Sequence, residues 1–312
     1  MAKNIPLLVI GGPTASGKSE VAVELALRNK GAVVSADSMQ VYKFMDIGTA
    51  KVSKETRNRV PHYMLDVVEP HEDYSLAQYK TAAVKCIQDI WQQGKLPILA
   101  GGTGLYIKAV IENYPLEEMP HDPLCRGELN TLWDRRGQDY MVELLEKVDP
   151  ESAAKYSDRR RIIRALEVYQ LAGRAFSVIQ REAQENNPFK SLNFALTLPR
   201  EKLYGVIDLR AEQMVIKGLI GEYINLINRG YPADCKAMQG LGYRHSGMFV
   251  QGKWTKAEMV EQLQQDTRRF AKRQLTWFRG MKDIIWQDNS NPLASVEIID
   301  NKLQELLNSP AK

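Results

Sequence analysis

Long apolar runs are missing from this 312-residue chain. The run from Ile5 to Ile10 is too short for the apolar region of a signal sequence and is stopped by two glycines. Nothing later approaches the roughly 18 apolar residues needed to span a bilayer, so a cytoplasmic protein with no membrane contact is expected. Cysteine is scarce. Cys86, Cys125 and Cys235 are odd in number and far apart, which excludes a disulfide framework and a CxxC metal pair. The four histidines, His62, His71, His121 and His245, have no HxxxH or HExxH spacing, which argues against a zinc site built from them. Internal repeats and low-complexity tracts are absent. A formal charge of +4 is too small an excess to decide anything about a polyanionic partner except through its distribution.

What is there alternates. Leu7 to Ile10 reads as a strand, GGPTASGKS as a loop and Glu20 to Asn29 as a helix, with Gly31 as its C-cap. Ala32 to Ser35 reads as a second strand and Tyr63 to Val68 as another, closed by Pro70. Ser75 N-caps a helix ending at Gly94, and Leu96 to Ala100 is a strand running into GGTGLY. Strands alternating with helices imply an α/β fold with a P-loop NTPase-like parallel sheet flanked by helices, whose ligands sit at the carboxyl ends of the strands. From about 116 to 187 the texture becomes charged and helical, including Met141 to Val148 and Ile162 to Leu171, which marks a helical insertion. Strand character returns at Asn193 to Leu198, and Arg200 to Lys282 is mostly helical. The expected domains are a core of 1–115 plus about 188–290 with C-terminal helices, the insertion at about 116–187, and a tail at 291–312.

Gly12, Gly17, Lys18 and Ser19 match GxxxxGK[ST] between a strand and a helix, the context that gives the pattern a mechanism. Backbone amides of Thr14, Ala15, Ser16 and their neighbours close around phosphate oxygens, the helix N-terminus adds positive potential, Lys18 supplies charge and Ser19 can ligate Mg2+. A chance glycine turn is the bland alternative. The loop does not say which phosphate is bound. A nucleoside triphosphatase usually ends a second strand in a magnesium-positioning acid, whereas Leu96 to Ala100 ends in Gly101, Gly102 and Thr103. Asp66 is the one other candidate, and it reads equally well as an ordinary capping carboxylate.

Asp37 follows the second strand and so reaches the same sheet edge as the phosphate loop, either as a general base or as a turn aspartate. Thr103 follows two glycines at a helix start, where it donates to a second anion or only begins the helix. Thr267 to Lys282 carries Arg268, Arg269, Lys272, Arg273, Arg279 and Lys282 with no acid, and Arg159, Arg160, Arg161 and Arg164 form a second cluster in the insertion. Either cluster taken alone is usually a solvated face.

Seven segments together resemble the tRNA dimethylallyltransferases: GPTASGKS (12–19), DSMQVY (37–42), MDIGTAK (45–51), GGTGLY (101–106), RRIIRALEVY (160–169), MQGLGYR (238–244) and FAKRQLTWFRG (270–280). The resemblance implies that the loop holds the diphosphate of dimethylallyl diphosphate with Mg2+ at Ser19, and that Asp37 is the base for the exocyclic amine of an adenine. Ser38, Met39 and Gln40 would line that base's pocket, Thr103 would bond the diphosphate near the breaking bond, and Arg210 would neutralise the leaving group. Arg126 matches a tRNA-contact position. With the basic clusters, the resemblance extends the expected contacts with a tRNA anticodon stem-loop to Arg160, Arg161, Arg164, Gln239, Gly242, Tyr243, Arg244, Arg269 and Arg273, in a protein expected to act as a monomer. Val206, His245 and Phe44 depart from the family's usual residues, and none of them carries chemistry. Rival readings are a P-loop small-molecule kinase, an RNA-binding module without catalysis, and transfer to a free adenine nucleotide.

Overall fold

The computed structural model describes residues 4–116 and 119–308. Residues 1–3 and 309–312 of the expected core and tail, and 117–118 of the expected insertion, lie outside the described residues. The chain divides into two compact units, one of residues 1–110 and 188–312 and one of residues 111–187.

The first unit is built on strands β1 (Ile5–Gly11), β2 (Gly31–Ser35), β3 (His62–Tyr63), β4 (Leu96–Ala100), β5 (Phe189–Thr197) and β6 (Ile285–Asp288). They form one sheet in the order β3-β2-β4-β1-β5-β6, with every pairing parallel. Its helices are α1 (Lys18–Arg28), α2 (Lys54–Arg59), α3 (Leu76–Gln92) and α4 (Gly104–Ile111), the last reaching the boundary of the unit. In the second unit lie α5 (Pro123–Val148), α6 (Pro150–Lys155), α7 (Arg159–Ala172) and α8 (Phe176–Glu185), and the first resumes with α9 (Arg200–Ile216), α10 (Leu219–Asn228), α11 (Tyr243–Val250), α12 (Lys256–Arg279) and α13 (Pro292–Asn308).

Central β1 has neighbours on both edges and helices over it, so Leu7 to Ile10 are fully buried, which is why the strand reads as a continuous apolar run. Ser75 and Gln78 form a reciprocal capping box that starts α3, as the sequence implies.

Three local expectations change. α1 ends at Asn29, Lys30 takes a left-handed φ of 48°, and Gly31 begins β2. A Cβ on Gly31 would lie 2.9 Å from the Leu96 carbonyl oxygen, so this glycine serves strand approach and not capping. The third strand is only His62–Tyr63, because Met64 and Asp66 turn left-handed and the amides of Val67 and Val68 bond the Val41 carbonyl instead. The segment from 291, read as a tail, contains α13, whose Val296, Ile299 and Leu303 are buried against Val21, Leu25 and the sheet.

In the second unit, Leu129, Met141, Leu145, Ile162 and Leu166 make a small core of their own. α5 is interrupted at Gly137, where φ is +78°.

Candidate active site

The register sets the site. Ile10 and Ser35 both pair with Ala100, so the chain leaves β1, β2 and β4 at one level of the sheet edge. These exits are tied to one another: the Ala36 amide donates to the Ala100 carbonyl (2.8 Å), Gly101 to Ile10 (3.1 Å) and Thr103 to Ala36 (3.0 Å). A Cβ on Gly101 would stand 2.1 Å from the Ala36 carbonyl oxygen, so only glycine permits this crossing. The crevice lies where the strand order reverses about β1, the usual ligand position in an open parallel sheet.

A cavity of about 400 Å³ opens there, and Thr14, Lys18, Asp37, Thr103, Arg210 and Arg273 are among its walls. Ala15, Ser19, Ser38, Met39, Gln40, Gln239 and Arg244 line it as well. Gly12, Ser16 and Gly17 support the loop from behind. Gly12 has φ +131° and packs on Leu196, and Gly17 has φ +82° against Asn289. The Ser16 hydroxyl donates to the Pro13 carbonyl at 2.9 Å. Among the described residues, no hydrogen bond within the chain occupies the amides of Ala15, Ser16, Gly17, Lys18 or Ser19. They start α1, so they add to the positive potential of its N-terminus.

Lys18 and Arg210 share this end of the cavity. Burial, and then the Arg210 charge, lower the Lys18 amine from 10.5 to about 8. Burial also lowers the Arg210 guanidinium from its usual value, while Glu20 and Asp37 oppose that shift. Lys18 donates to the Pro13 carbonyl, and Arg210 lies 3.4 Å from the Thr14 hydroxyl. Two confined cations beside a row of free amides make a cradle for an anion carrying several charges.

Asp37 accepts from the Met39 amide through one carboxylate oxygen at 2.9 Å. Thr103 is less free than its position in sequence implies. Its hydroxyl accepts from the Ser38 amide (3.0 Å) and donates toward the Ser38 hydroxyl (3.3 Å), bracing the Asp37 turn. Behind this turn, Tyr79 donates to the Ser35 carbonyl at 2.9 Å and stacks on Tyr106 with ring centroids 3.7 Å apart. Asp66 is outside the cavity and pairs with Lys51 (2.7 Å) and Arg57 (2.8 Å), an ion-pair role that is neither magnesium positioning nor capping.

The predicted basic residues separate into groups. Arg244 and Arg273 line the cavity, while Arg269 is exposed beside Asp266 at 3.3 Å. Arg268 is held by Asp208. Gly242 and Tyr243 are buried, with the Tyr243 hydroxyl donating to Glu222 at 2.6 Å. In the second unit, Arg160 and Arg161 are exposed, whereas Arg126 (2.6 Å) and Arg164 (2.7 Å) both grip fully buried Glu167. Burial alone would raise the Glu167 carboxyl, but hydrogen bonds from Arg126, His121, Arg164 and the Asp122 amide overcome it and hold the carboxyl at about 2. Arg159 is bound to Asp134 and Asn130.

Three residues that sequence reasoning missed hold the site together. Gln274 of α12, only 6% exposed, accepts from the Thr14 amide (2.8 Å) and donates to the Gly102 carbonyl (2.9 Å). Asn289, after β6, donates to the Ser16 carbonyl at 2.9 Å. Glu222 of α10 accepts from the amides of Asp46, Ile47 and Gly48. The one available signal is for Gln274, a polar residue on the helix face that buries Ala271 and Phe278.

Comparison with known proteins agrees with this geometry. The family described as IPP transferase matches residues 40–281, and that described as isopentenyl transferase matches residues 5–73. The chain is 43% identical to the tRNA dimethylallyltransferase of Carboxydothermus hydrogenoformans, over 95% of this chain and 96% of that one. It is 44% identical to that of Pelotomaculum thermopropionicum, over 91% of each. Among solved structures, the tRNA isopentenylpyrophosphate transferase of Bacillus halodurans superposes with a TM-score of 0.72 at 38% identity, covering 97% of this chain and 98% of that one. A eukaryotic dimethylallyltransferase acting on tRNA superposes with a TM-score of 0.78 at 27% identity, covering 98% of this chain and 81% of that one. A parallel sheet with a phosphate loop on its central strand, an acid after the second strand and these full-length likenesses lead to one conclusion: the chain belongs to the IPP transferase family.

Proposed function

We propose that this chain transfers the dimethylallyl group of dimethylallyl diphosphate to the N6 amine of the adenosine 3′-adjacent to the anticodon in tRNA, releasing diphosphate. The observation that carries the reading is the meeting, in one cavity, of a polyanion cradle and the Asp37 carboxylate, with Gly101 and Gly102 after β4 where a nucleoside triphosphatase usually has a magnesium-positioning acid. Full-length relatives named tRNA dimethylallyltransferases support the same donor and acceptor.

In this reading the amides from Ala15 to Ser19, with Lys18 and Arg210, hold the diphosphate as the C–O bond breaks and the C–N bond forms. Such oriented donors are typically worth about 2.7 to 4 kcal/mol each at a transition state. Asp37 takes the amine proton, and Thr103 turns from Ser38 to the departing oxygen. Ser38, Met39 and Gln40 surround the adenine, which leaves its stack at least cost from a single-stranded loop. Gln239, Arg244, Arg269 and Arg273 in the first unit, and Arg126, Arg160, Arg161 and Arg164 in the second, contact the anticodon stem-loop, whereas Gly242 and Tyr243, expected from the sequence to do so, are buried and instead support the wall behind Gly48.

Mg2+ fits the donors available. Among the described residues there is no cluster of three His, Cys, Asp or Glu to hold a metal, and the Ser19 hydroxyl lines the cavity. That suits an ion bound mainly by substrate phosphates, water and one protein oxygen. When bound, it offsets charge on the diphosphate. No helix among the described residues is long and apolar enough to cross a membrane. A tRNA substrate goes with a cytoplasmic location.

Incubation with ATP labelled in its terminal phosphate, beside labelled dimethylallyl diphosphate and tRNA, tests the proposal against a kinase. Prenyl label in tRNA without phosphate transfer is expected. Phosphate transfer to a small metabolite with no prenyl transfer would overturn it.

A further inference from the structure

The P-loop does not offer all of its amides. The five from Ala15 to Ser19 are free, whereas the next one toward β1, that of Thr14, is already bonded to the Oε1 atom of Gln274. The opposite end of the same side-chain amide is committed to the Gly102 carbonyl, so the group cannot flip or withdraw without losing both bonds. Its surroundings leave little room to adjust. Gln274 is 6% exposed, and a Cβ on Gly102 would stand 2.3 Å from its Nε2 atom. The Thr14 side chain is turned to Arg210.

We infer that Gln274 is a specificity-determining residue that limits the cradle to two phosphoryl groups and disfavours a triphosphate. The inference rests on the assignment of the loop to a diphosphate. A diphosphate is served by the five free amides with Lys18 and Arg210. A third phosphoryl group needs further donors, and the next in line is the Thr14 amide. There it meets a carbonyl oxygen carrying partial negative charge instead of an N–H. It must either remain unpaired or displace Gln274 and leave the buried Gly102 carbonyl without a partner, a cost of the kind incurred by any desolvated polar group. A loop of the GxxxxGK[ST] type, which elsewhere serves nucleoside triphosphates, is thereby adapted to a shorter anion by one residue from a helix 260 positions away in sequence.

Titration calorimetry of the full chain with inorganic diphosphate and with inorganic triphosphate, both with Mg2+, reads the ratio of the two dissociation constants. That ratio is internal to each protein sample and is insensitive to a general loss of stability. The wild type is expected to prefer diphosphate. Gln274→Met, which keeps the volume and frees the Thr14 amide, should lower the preference by about tenfold, the scale of one charge-assisted hydrogen bond. Gln274→Glu, which keeps an acceptor on Thr14 and adds negative charge, should weaken both anions and triphosphate more, and it decides the matter if the methionine variant does not fold. A wild type that binds triphosphate as tightly as diphosphate, or an unchanged ratio in a folded variant, overturns the inference. Anion binding by the wild type that survives Lys18→Ala contradicts instead the assignment of diphosphate to the loop.

Discussion

The side-chain amide of Asn289 donates to the carbonyl of Ser16 at 2.9 Å, joining the end of the last strand to the middle of the phosphate loop. Gly17 lies directly beneath it, and a Cβ there would be 2.3 Å from the same Nδ2 atom, at a φ of +82° that disfavours any side chain. Gly17→Ala should therefore displace Asn289 and reduce affinity for dimethylallyl diphosphate by more than tenfold, with tRNA affinity retained. Asn289→Ala should cost about 1 to 2 kcal/mol of stability, the usual scale for removing one buried hydrogen bond. Calorimetric titration and urea unfolding measure the two effects.

Lys18 gives the site a pH dependence. Its amine is lowered to about 8 in the free protein by burial and by Arg210. A bound diphosphate favours the charged form, so binding takes up a proton once the free lysine is neutral. Affinity for the diphosphate should fall as pH rises above about 8, by up to tenfold per unit, until the lysine of the complex also titrates. The free protein behaves in the opposite sense. Its folded pKa lies below the ordinary 10.5, so protonated Lys18 destabilises the fold most below pH 8 and progressively less toward 10.5. Titrations in buffers of different ionisation enthalpy detect the proton uptake, and Lys18→Met should abolish it.

Much of the site was legible because its parts are local. Strand, glycine loop and helix are contiguous from Leu7 to Asn29, and Asp37 and Gly101 to Thr103 each follow a short apolar strand. The braces were not legible, because Gln274, Asn289 and Glu222 act on segments more than 170 residues away, and a single polar residue in a helix does not announce its partner. The charge clusters misled in part. Arg164 and Arg268 belong to clusters whose bland reading is a solvated face, yet each is held by a carboxylate. The third strand looked longer than it is because apolar residues from Met64 to Val68 resemble a strand while the backbone turns at Met64 and Asp66.

Glu222 organises the cavity wall that carries Gly48, Thr49 and Ala50. Its carboxylate accepts from three successive amides and from the Tyr243 hydroxyl, whose ring packs where a Gly48 side chain would be. Glu222→Ala should cost about 2 to 3 kcal/mol, since hydrogen bonds to a charged group are worth about 1.5 to 3 kcal/mol each and water recovers part of the loss. It should also raise the KM for tRNA. Gly48→Ala should reproduce the KM effect by pushing on Tyr243. Thermal unfolding and steady-state kinetics check both.

Glu167 is the corresponding centre of the second unit. Its depressed carboxyl contributes stability that is complete above pH 4.5 and is lost as pH falls from about 4.5 to about 2. Glu167→Gln leaves Arg126 and Arg164 without their buried partner and should destabilise this unit by about 3 kcal/mol, as when one side of a buried ion pair is removed. Hydrogen exchange should report faster opening of residues 123–172, with dimethylallyl diphosphate binding unchanged.

The central claim is a reaction at carbon with Asp37 as the base, and mass spectrometry of nucleosides from unmodified tRNA incubated with dimethylallyl diphosphate tests it most directly. The wild type should convert the adenosine next to the anticodon to its N6-dimethylallyl form. Asp37→Ala should lose about 100- to 10,000-fold in rate, the range for general-base catalysis, while still binding tRNA. An unmodified nucleoside with the wild type, or full modification by the Asp37→Ala variant, would contradict the account.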